Sequence, residues 1–133
     1  MTRPRILLAD DHVANAELIC SLLQPEFEVV AQVHDGNALV LAAEALSPDV
    51  IVSDVSMPDL DGIAAAAIIL RRNPAARIVF VTVHGDPLVV RRGLATGALG
   101  YVLKLSAGED LVAAVRAALR GERHVSGTLA DYR

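Results

Sequence analysis

Five short apolar runs, each four to six residues long, recur along this chain with helical stretches between them. That alternation limits the fold more than any other feature. The runs are Ile6–Ala9, Glu28–Val33, Val50–Ser53, Ile78–Val83 and Gly100–Leu103. Most are rich in β-branched residues, and all are too short for helices, so they read as strands. Between them, apolar residues fall at helical spacing: Leu18, Ile19, Leu22 and Leu23 on the first helix, Leu111, Val112, Val115 and Leu119 on the last. Alternating β and α implies a doubly wound α/β domain around a five-stranded parallel sheet. Strands covered on both faces read as unbroken apolar runs. With 53% hydrophobic but only 3% aromatic residues, the core must be built from Ala, Val, Leu and Ile.

Local signals set the boundaries. Asp86-Pro87 predicts an N-cap followed by proline at the first helical position. Ser106-Ala107-Gly108-Glu109 has capping-box spacing before the last helix. Gly97 suits the C-terminal end of the fourth helix. A chain of 133 residues makes one domain, able to bury roughly two-thirds of its unfolded surface. The polar segment from Gly121 onward falls outside the five-unit pattern. The expected organisation is a domain over 1–121, then a C-terminal tail or the start of an interdomain linker over 122–133.

Several function classes lose support. The net charge is −4, and the basic pairs Arg71-Arg72 and Arg91-Arg92 read as solvated helix faces, which argues against direct nucleic-acid binding. Cys20 stands alone, so no disulfide framework is expected and a cytoplasmic location is the natural reading. The N-terminus has no signal-peptide pattern. The run Ile63–Leu70 is far shorter than the about 20 residues a bilayer demands, so no membrane partner is expected. No G-x-G-x-x-G, Walker A or G-x-S-x-G motif occurs, and His12, His34, His84 and His124 lack zinc-ligand spacing. His84 is expected to be an exposed loop residue bordering the site described next.

In a doubly wound sheet the ligand site lies beyond the carboxyl ends of the strands. Asp10 and Asp11 follow the first strand, Asp54 follows the third, Thr82 lies near the end of the fourth, and Lys104 follows the fifth. Three carboxylates at the ends of two buried strands are electrostatically costly unless a cation joins them. The pattern therefore points to a divalent metal and a phosphoryl group. A carboxylate such as Asp54 can attack phosphorus and form an acyl phosphate. Asp10 and Asp11 offer the hard oxygen ligands that Mg2+ prefers, with positions left for water and phosphate. Lys104 is the only lysine among 12 basic residues, and its compact ammonium acts as a point charge on phosphate. A lone aspartate after a strand is more often a helix cap. It is the coincidence of Asp10, Asp11 and Lys104 on the same edge that favours chemistry. Thr82 and Tyr101 are weaker signals, since threonine and tyrosine are ordinary strand residues.

Taken together, the segments Leu8-Ala9-Asp10-Asp11-His12, Ser53-Asp54-Val55-Ser56-Met57-Pro58-Asp59-Leu60-Asp61-Gly62, Val81-Thr82-Val83 and Gly100-Tyr101-Val102-Leu103-Lys104 resemble the receiver domain of bacterial two-component response regulators. The resemblance covers about residues 4 to 121. It implies a flavodoxin-like sheet of order 2-1-3-4-5 and a signalling domain that turns over no external metabolite. A histidine kinase would donate a phosphoryl group to Asp54. Asp11 and Asp54 would hold Mg2+ with the backbone carbonyl of Ser56, and Asp10 would act through water. Lys104 would contact the phosphoryl group, Thr82 would move toward it, and Tyr101 would swing inward. The face of helix four, strand five and helix five would then select a partner, with a second copy of the chain a candidate on phosphorylation. Ser56 and His84 occupy positions that tune phosphate lifetime in the family. Leu105 stands where many receivers have proline, so no cis peptide is expected after Lys104. The stretch Gly97–Lys104, followed by leucine, resembles the subgroup whose receivers precede a four-helix helix-turn-helix DNA-binding output domain, expected to be absent from this chain. Three other readings compete: a stand-alone receiver that acts by docking, without an output domain, and two that the residues disfavour. A pseudo-receiver would keep the fold without phosphorylation, yet Asp10, Asp11, Asp54, Thr82 and Lys104 are intact. An aspartate-nucleophile phosphatase of the haloacid dehalogenase type would carry D-x-D-x-T, but Asp54-Val55-Ser56 lacks the second aspartate.

Overall fold

A computed structural model describes residues 2–126. Strands and helices alternate along it: β1 (Arg5–Ala9), α1 (Val13–Leu23), β2 (Glu28–Val33), α2 (Gly36–Leu46), β3 (Val50–Ser53), α3 (Gly62–Arg72), β4 (Ile78–Thr82), α4 (Pro87–Ala95), β5 (Gly100–Leu103), a 3-10 turn (Lys104–Ser106), α5 (Ala107–Leu119) and β6 (His124–Val125). The strands form one sheet of order β2-β1-β3-β4-β5-β6, and the pairings are parallel throughout. The expected order 2-1-3-4-5 is present, with a sixth strand added at the β5 edge.

The sheet divides two apolar layers. Ile6 and Leu8 of β1 face one way, with Val50, Val52, Val79, Val81 and Val102, and pack beneath Ile19 and Leu23 of α1 and Leu111 and Val115 of α5. Leu7 and Ala9 face the other way, with Ile51, Phe80 and Tyr101, beneath Leu39 of α2, Ile63 and Ile69 of α3, and Val90 and Leu94 of α4. A central strand whose residues all meet a core shows no alternation in sequence. Small residues let α3 lie close to the sheet, with Ala65 and Ala66 almost wholly buried.

Most caps follow the expected chemistry. The Asp86 carboxylate accepts from the Leu88 backbone N–H, with proline at the start of α4. Gly97 takes a left-handed φ of +99° just past that helix, a conformation that costs glycine little. Ser106 differs: it makes no side-chain cap, because the 3-10 turn runs directly into α5 and holds Ser106 at φ −102°, ψ 2°. An N-cap needs extended backbone to aim its oxygen at the helix amides. Leu18 also departs from expectation and is 61% exposed, while Ile19 and Leu23 carry the buried face of α1.

The segment read as a tail contains β6. His124 and Val125 pair in parallel with Gly100 and Tyr101, and Val125 joins the core. A two-residue strand carries no periodicity, so this pairing had no signature in the pattern. The rest of the tail expectation, residues 127–133, lies outside the described residues. Among the described residues every peptide bond is trans, including Lys104–Leu105.

Candidate phosphoacceptor site

The carboxyl ends of β1, β3 and β5 bring Asp10, Asp54 and Lys104 together. The backbone N–H of Asp54 donates to the Ala9 carbonyl at 2.9 Å, which fixes the end of β3 against β1. The N–H of Asp10 donates to Val33 at 3.1 Å, tying β1 to β2. The His34 ring meets the Asp10 carbonyl at 2.9 Å. From these anchors Asp10 and Asp54, 1% and 5% exposed, face a common point above the sheet edge.

Lys104 lies between them. Its Nζ is 2.9 Å from Asp10 Oδ2 and 2.9 Å from Asp54 Oδ2. Burial alone would lower the ammonium's pKa. Hydrogen bonds to Asp10 and Asp54, together with their charges, outweigh it and hold the group above the ordinary lysine range. The other oxygen of Asp54 accepts from the Val55 N–H at 2.7 Å.

The loop after Asp54 is held by close backbone packing. A Cβ at Gly62 would lie 1.9 Å from the Asp54 carbonyl oxygen, and one at Gly36 would lie 1.9 Å from that of Leu60. Only glycine permits these approaches. The Gly62 N–H donates to Val55 at 2.7 Å. Asp61 caps α3 by accepting from Ala64 at 2.8 Å. Asp59 adopts φ +67°, a left-handed conformation that aspartate tolerates better than most residues.

Asp11 sits at the rim, 28% exposed, with Oδ1 3.1 Å from His12 Nδ1. Asp10, Asp11 and His12 bring ligand atoms within 4.8 Å of one another. His12 was not singled out from the sequence, although the adjacent D-D-H triplet was visible there. The close polar neighbour of Asp10 Oδ2 is the Lys104 ammonium, and that of Asp11 Oδ1 is the His12 ring. Three carboxylates therefore gather at an edge with one ammonium, which leaves net negative charge there. A small hard cation fits that donor set.

Thr82 is fully buried at the end of β4, and its Oγ1 accepts from the His84 backbone N–H at 3.3 Å. Tyr101 is fully buried, already inward, and its hydroxyl donates to the His84 carbonyl at 2.7 Å. Gly93 of α4 leaves room for this ring, since a Cβ there would lie 3.0 Å from it. Burial, with negative charge at Asp54 and Asp86, pushes the Tyr101 phenol well above the ordinary tyrosine range. His84 is half-buried, contrary to the expectation of an exposed loop residue, and its Nε2 lies 3.0 Å from Ser56 Oγ. Its backbone and ring thus link Thr82, Tyr101 and Ser56, a role that spacing alone did not reveal.

Beside this cluster Ser56, Asp61, His84 and Arg92 line a small depression of about 170 Å³. A larger one, about 400 Å³, lies between the C-terminal ends of α2 and α3, lined in part by Ala43, Ser47, Ile69 and Arg77. It holds none of the clustered carboxylates. The chemistry thus sits in a shallow, charged site suited to a small group rather than in the roomier depression.

A doubly wound parallel sheet with paired acids, an aspartate and a lysine at its carboxyl edge places the chain among signalling receiver domains. The chain belongs to the response regulator receiver domain family, whose pattern it matches over residues 6–116. It is 35% identical over 123 residues to the transcriptional regulatory protein DegU of Brevibacillus brevis, covering 91% of this chain and 52% of that protein. It is 34% identical to the response regulator GacA of Pseudomonas viridiflava, covering 96% of this chain and 60% of that one. The chain thus spans little more than half the length of these relatives. A crystal structure of a LuxR-family two-component response regulator from Aurantimonas sp. SI85-9A1 superposes with TM-score 0.93 at 33% identity, covering 98% of this chain and 95% of that one. The isolated receiver domain of RcsB from Salmonella enterica serovar Typhimurium, solved with the phosphomimetic BeF3-, gives 0.89 at 27% identity, covering 98% and 99%.

Proposed function

We propose that this receiver takes a phosphoryl group from a histidine kinase onto Asp54 and uses the acyl phosphate to control a transcriptional output domain. The observation that carries this reading is the Asp54 carboxylate at the end of β3, bonded through Oδ2 to Lys104 Nζ at 2.9 Å. In the transfer, an Asp54 oxygen forms a bond to phosphorus as the bond between phosphorus and the donor nitrogen breaks. The electron pair of that bond and a proton stay with the donor imidazole. Lys104 releases Asp54 Oδ2 and neutralises the incoming phosphoryl oxygens, since an ammonium beside developing negative charge lowers the barrier. Buried Asp10 keeps Lys104 on this edge through its own 2.9 Å contact. Asp11, Asp54 and the Ser56 carbonyl are the proposed Mg2+ ligands, with Asp10 acting through water. When bound, Mg2+ supplies positive charge that offsets the carboxylates and the phosphoryl oxygens.

The switch in this reading runs through Thr82 and Tyr101. Thr82 offers its hydroxyl to a phosphoryl oxygen, giving up the His84 N–H. His84 then shifts with the Tyr101 hydroxyl that it holds at 2.7 Å. The face of α4, β5 and α5 is thereby biased between two arrangements by a local charge event. The proposed boundaries are a receiver over 1–121 with a linker beginning after it, and a second copy of the chain is a proposed partner on phosphorylation. The domain acts in this account as a receiver and not as an enzyme with external substrates. A cytoplasmic location fits a kinase partner, and among the described residues no helix is long and apolar enough to cross a membrane.

Intact-protein mass spectrometry after incubation with Mg2+ and a small phosphodonor tests this reading. One phosphoryl adduct is expected, dependent on Mg2+ and absent from Asp54→Asn. An equal adduct on a folded Asp54→Asn variant would overturn the assignment. Steady turnover of an added phosphate monoester would favour the phosphatase.

A further inference from the structure

We infer that Ser126 is a positioning residue for Lys104, holding the end of β5 so that the ammonium meets Asp54. The inference deepens the phosphoacceptor reading and rests on it for its catalytic consequence. β5 turns the backbone groups of Leu99, Tyr101 and Leu103 toward the sheet edge. The Leu99 carbonyl accepts from the His124 N–H at 2.8 Å, and the Tyr101 carbonyl accepts from the Ser126 N–H at 3.0 Å. Ladder pairing stops there, because β6 is only His124–Val125. The next donor along β5, the Leu103 N–H, is taken by the Ser126 side chain: Oγ accepts at 3.1 Å. Ser126 is fully buried, so this oxygen replaces a bond that water would otherwise have to make.

The place of that bond is what matters. Leu103 is the last extended residue of β5, and Lys104 opens the 3-10 turn. The peptide anchored by Ser126 therefore directly precedes the hinge from which the lysine side chain departs. Lys104 must satisfy two carboxylates at once, at 2.9 Å each, and such a bridge tolerates little displacement of its backbone. On the other side of the hinge, Leu105 is fully exposed, so the strand side holds the hinge, through the ladder to Thr82 of β4 on one edge and the Ser126 side chain on the other. Ser126 thus holds β5 at both Tyr101 and Leu103 through two hydrogen bonds.

Lys104 is the only lysine in the chain, so selective 13C-lysine labelling yields a single side-chain signal in NMR. The experiment compares the full chain with Ser126→Ala, Ser126→Thr and Ser126→Cys, each checked for cooperative thermal unfolding. The lysine signal of Ser126→Ala is expected to move toward that of a solvated lysine, and Ser126→Thr, which keeps the acceptor, to restore it. Ser126→Cys, a weaker acceptor of similar volume, should fall between and serves if the alanine variant does not fold. The maximal rate of phosphoryl adduct formation should drop about fivefold in Ser126→Ala, the loss of one hydrogen bond's worth of positioning. The half-saturating Mg2+ concentration should stay unchanged, because the proposed metal ligands lie in the segments that follow β1 and β3. A folded Ser126→Ala or Ser126→Cys with an unmoved lysine signal overturns the inference, as does a shift in Mg2+ dependence with no change in rate. A wild type that accepts no phosphoryl group, while its lysine signal still answers to Ser126, overturns the phosphoacceptor reading and leaves the positioning role standing.

Discussion

At the scale of single residues, Lys104 and Tyr101 show how burial and charge act together. Lys104 stays protonated despite partial burial because two carboxylates hold it. Tyr101 stays neutral because burial and nearby negative charge both oppose the phenolate. A group whose folded pKa is raised contributes stability that is complete below its unfolded pKa, about 10 for tyrosine. That contribution is lost as pH rises through the folded pKa. Tyr101→Phe removes both the bond to the His84 carbonyl and this ionisation. Urea unfolding should find it about 1 kcal/mol less stable than wild type at pH 7, and the gap should close as pH rises above about 10. A gap that widens with pH would contradict the account. Asp10, Asp54 and Lys104 were legible as one cluster because strand direction alone carries them to one edge. The part played by His84 was not, since its bonds to Thr82 and Tyr101 run through its backbone, and a backbone group leaves no mark in residue type.

At the scale of elements, glycines decide how tightly the loop after β3 closes. Gly62 and Gly108 make a matched pair. A Cβ at Gly62 would strike the Asp54 carbonyl at 1.9 Å, whereas one at Gly108, in α5, meets nothing within 4 Å. Gly62→Ala should cost about 1–3 kcal/mol, the usual range for overpacking, and it should also disturb the acceptor loop. Gly108→Ala should stabilise by about 0.5–1 kcal/mol, because it lowers chain entropy in a helix without new contacts. Denaturant midpoints at constant slope would check both signs, and stabilisation by Gly62→Ala would refute the packing argument. The strands were readable because β1, β3 and β4 are buried almost throughout. Short-range chemistry was less dependable. Asp86-Pro87 started a helix as expected, but the Ser106 box failed because the preceding turn fixed its backbone. β6 escaped notice because its two residues are defined by a partner strand rather than by any pattern of their own.

At the scale of the whole molecule, stability and function meet at the acidic edge. Without a cation, Asp10, Asp11 and Asp54 oppose one another across a site with a single ammonium, a local cost that the rest of the fold sustains. Asp11, at the rim of the site with only the His12 ring close to its Oδ1, is the residue whose removal should separate the two roles. Asp11→Asn is expected to be as stable as wild type, or more so, in chelator. Wild type should gain about 1.4 kcal/mol at Mg2+ ten times its Kd, and the variant should gain far less. Equal Mg2+ stabilisation of both proteins would remove Asp11 from the metal site. The fold itself was the most legible level, since alternation of strand and helix dictates a doubly wound sheet and the sheet dictates where the site lies. The central claim, that Asp54 receives the phosphoryl group, is tested most directly by trapping the acyl phosphate. Borohydride reduces an aspartyl phosphate to homoserine, and peptide mass spectrometry then identifies the position. The account expects homoserine at residue 54 alone, only after exposure to phosphodonor and Mg2+. Homoserine at another aspartate, with residue 54 unmodified, would contradict it.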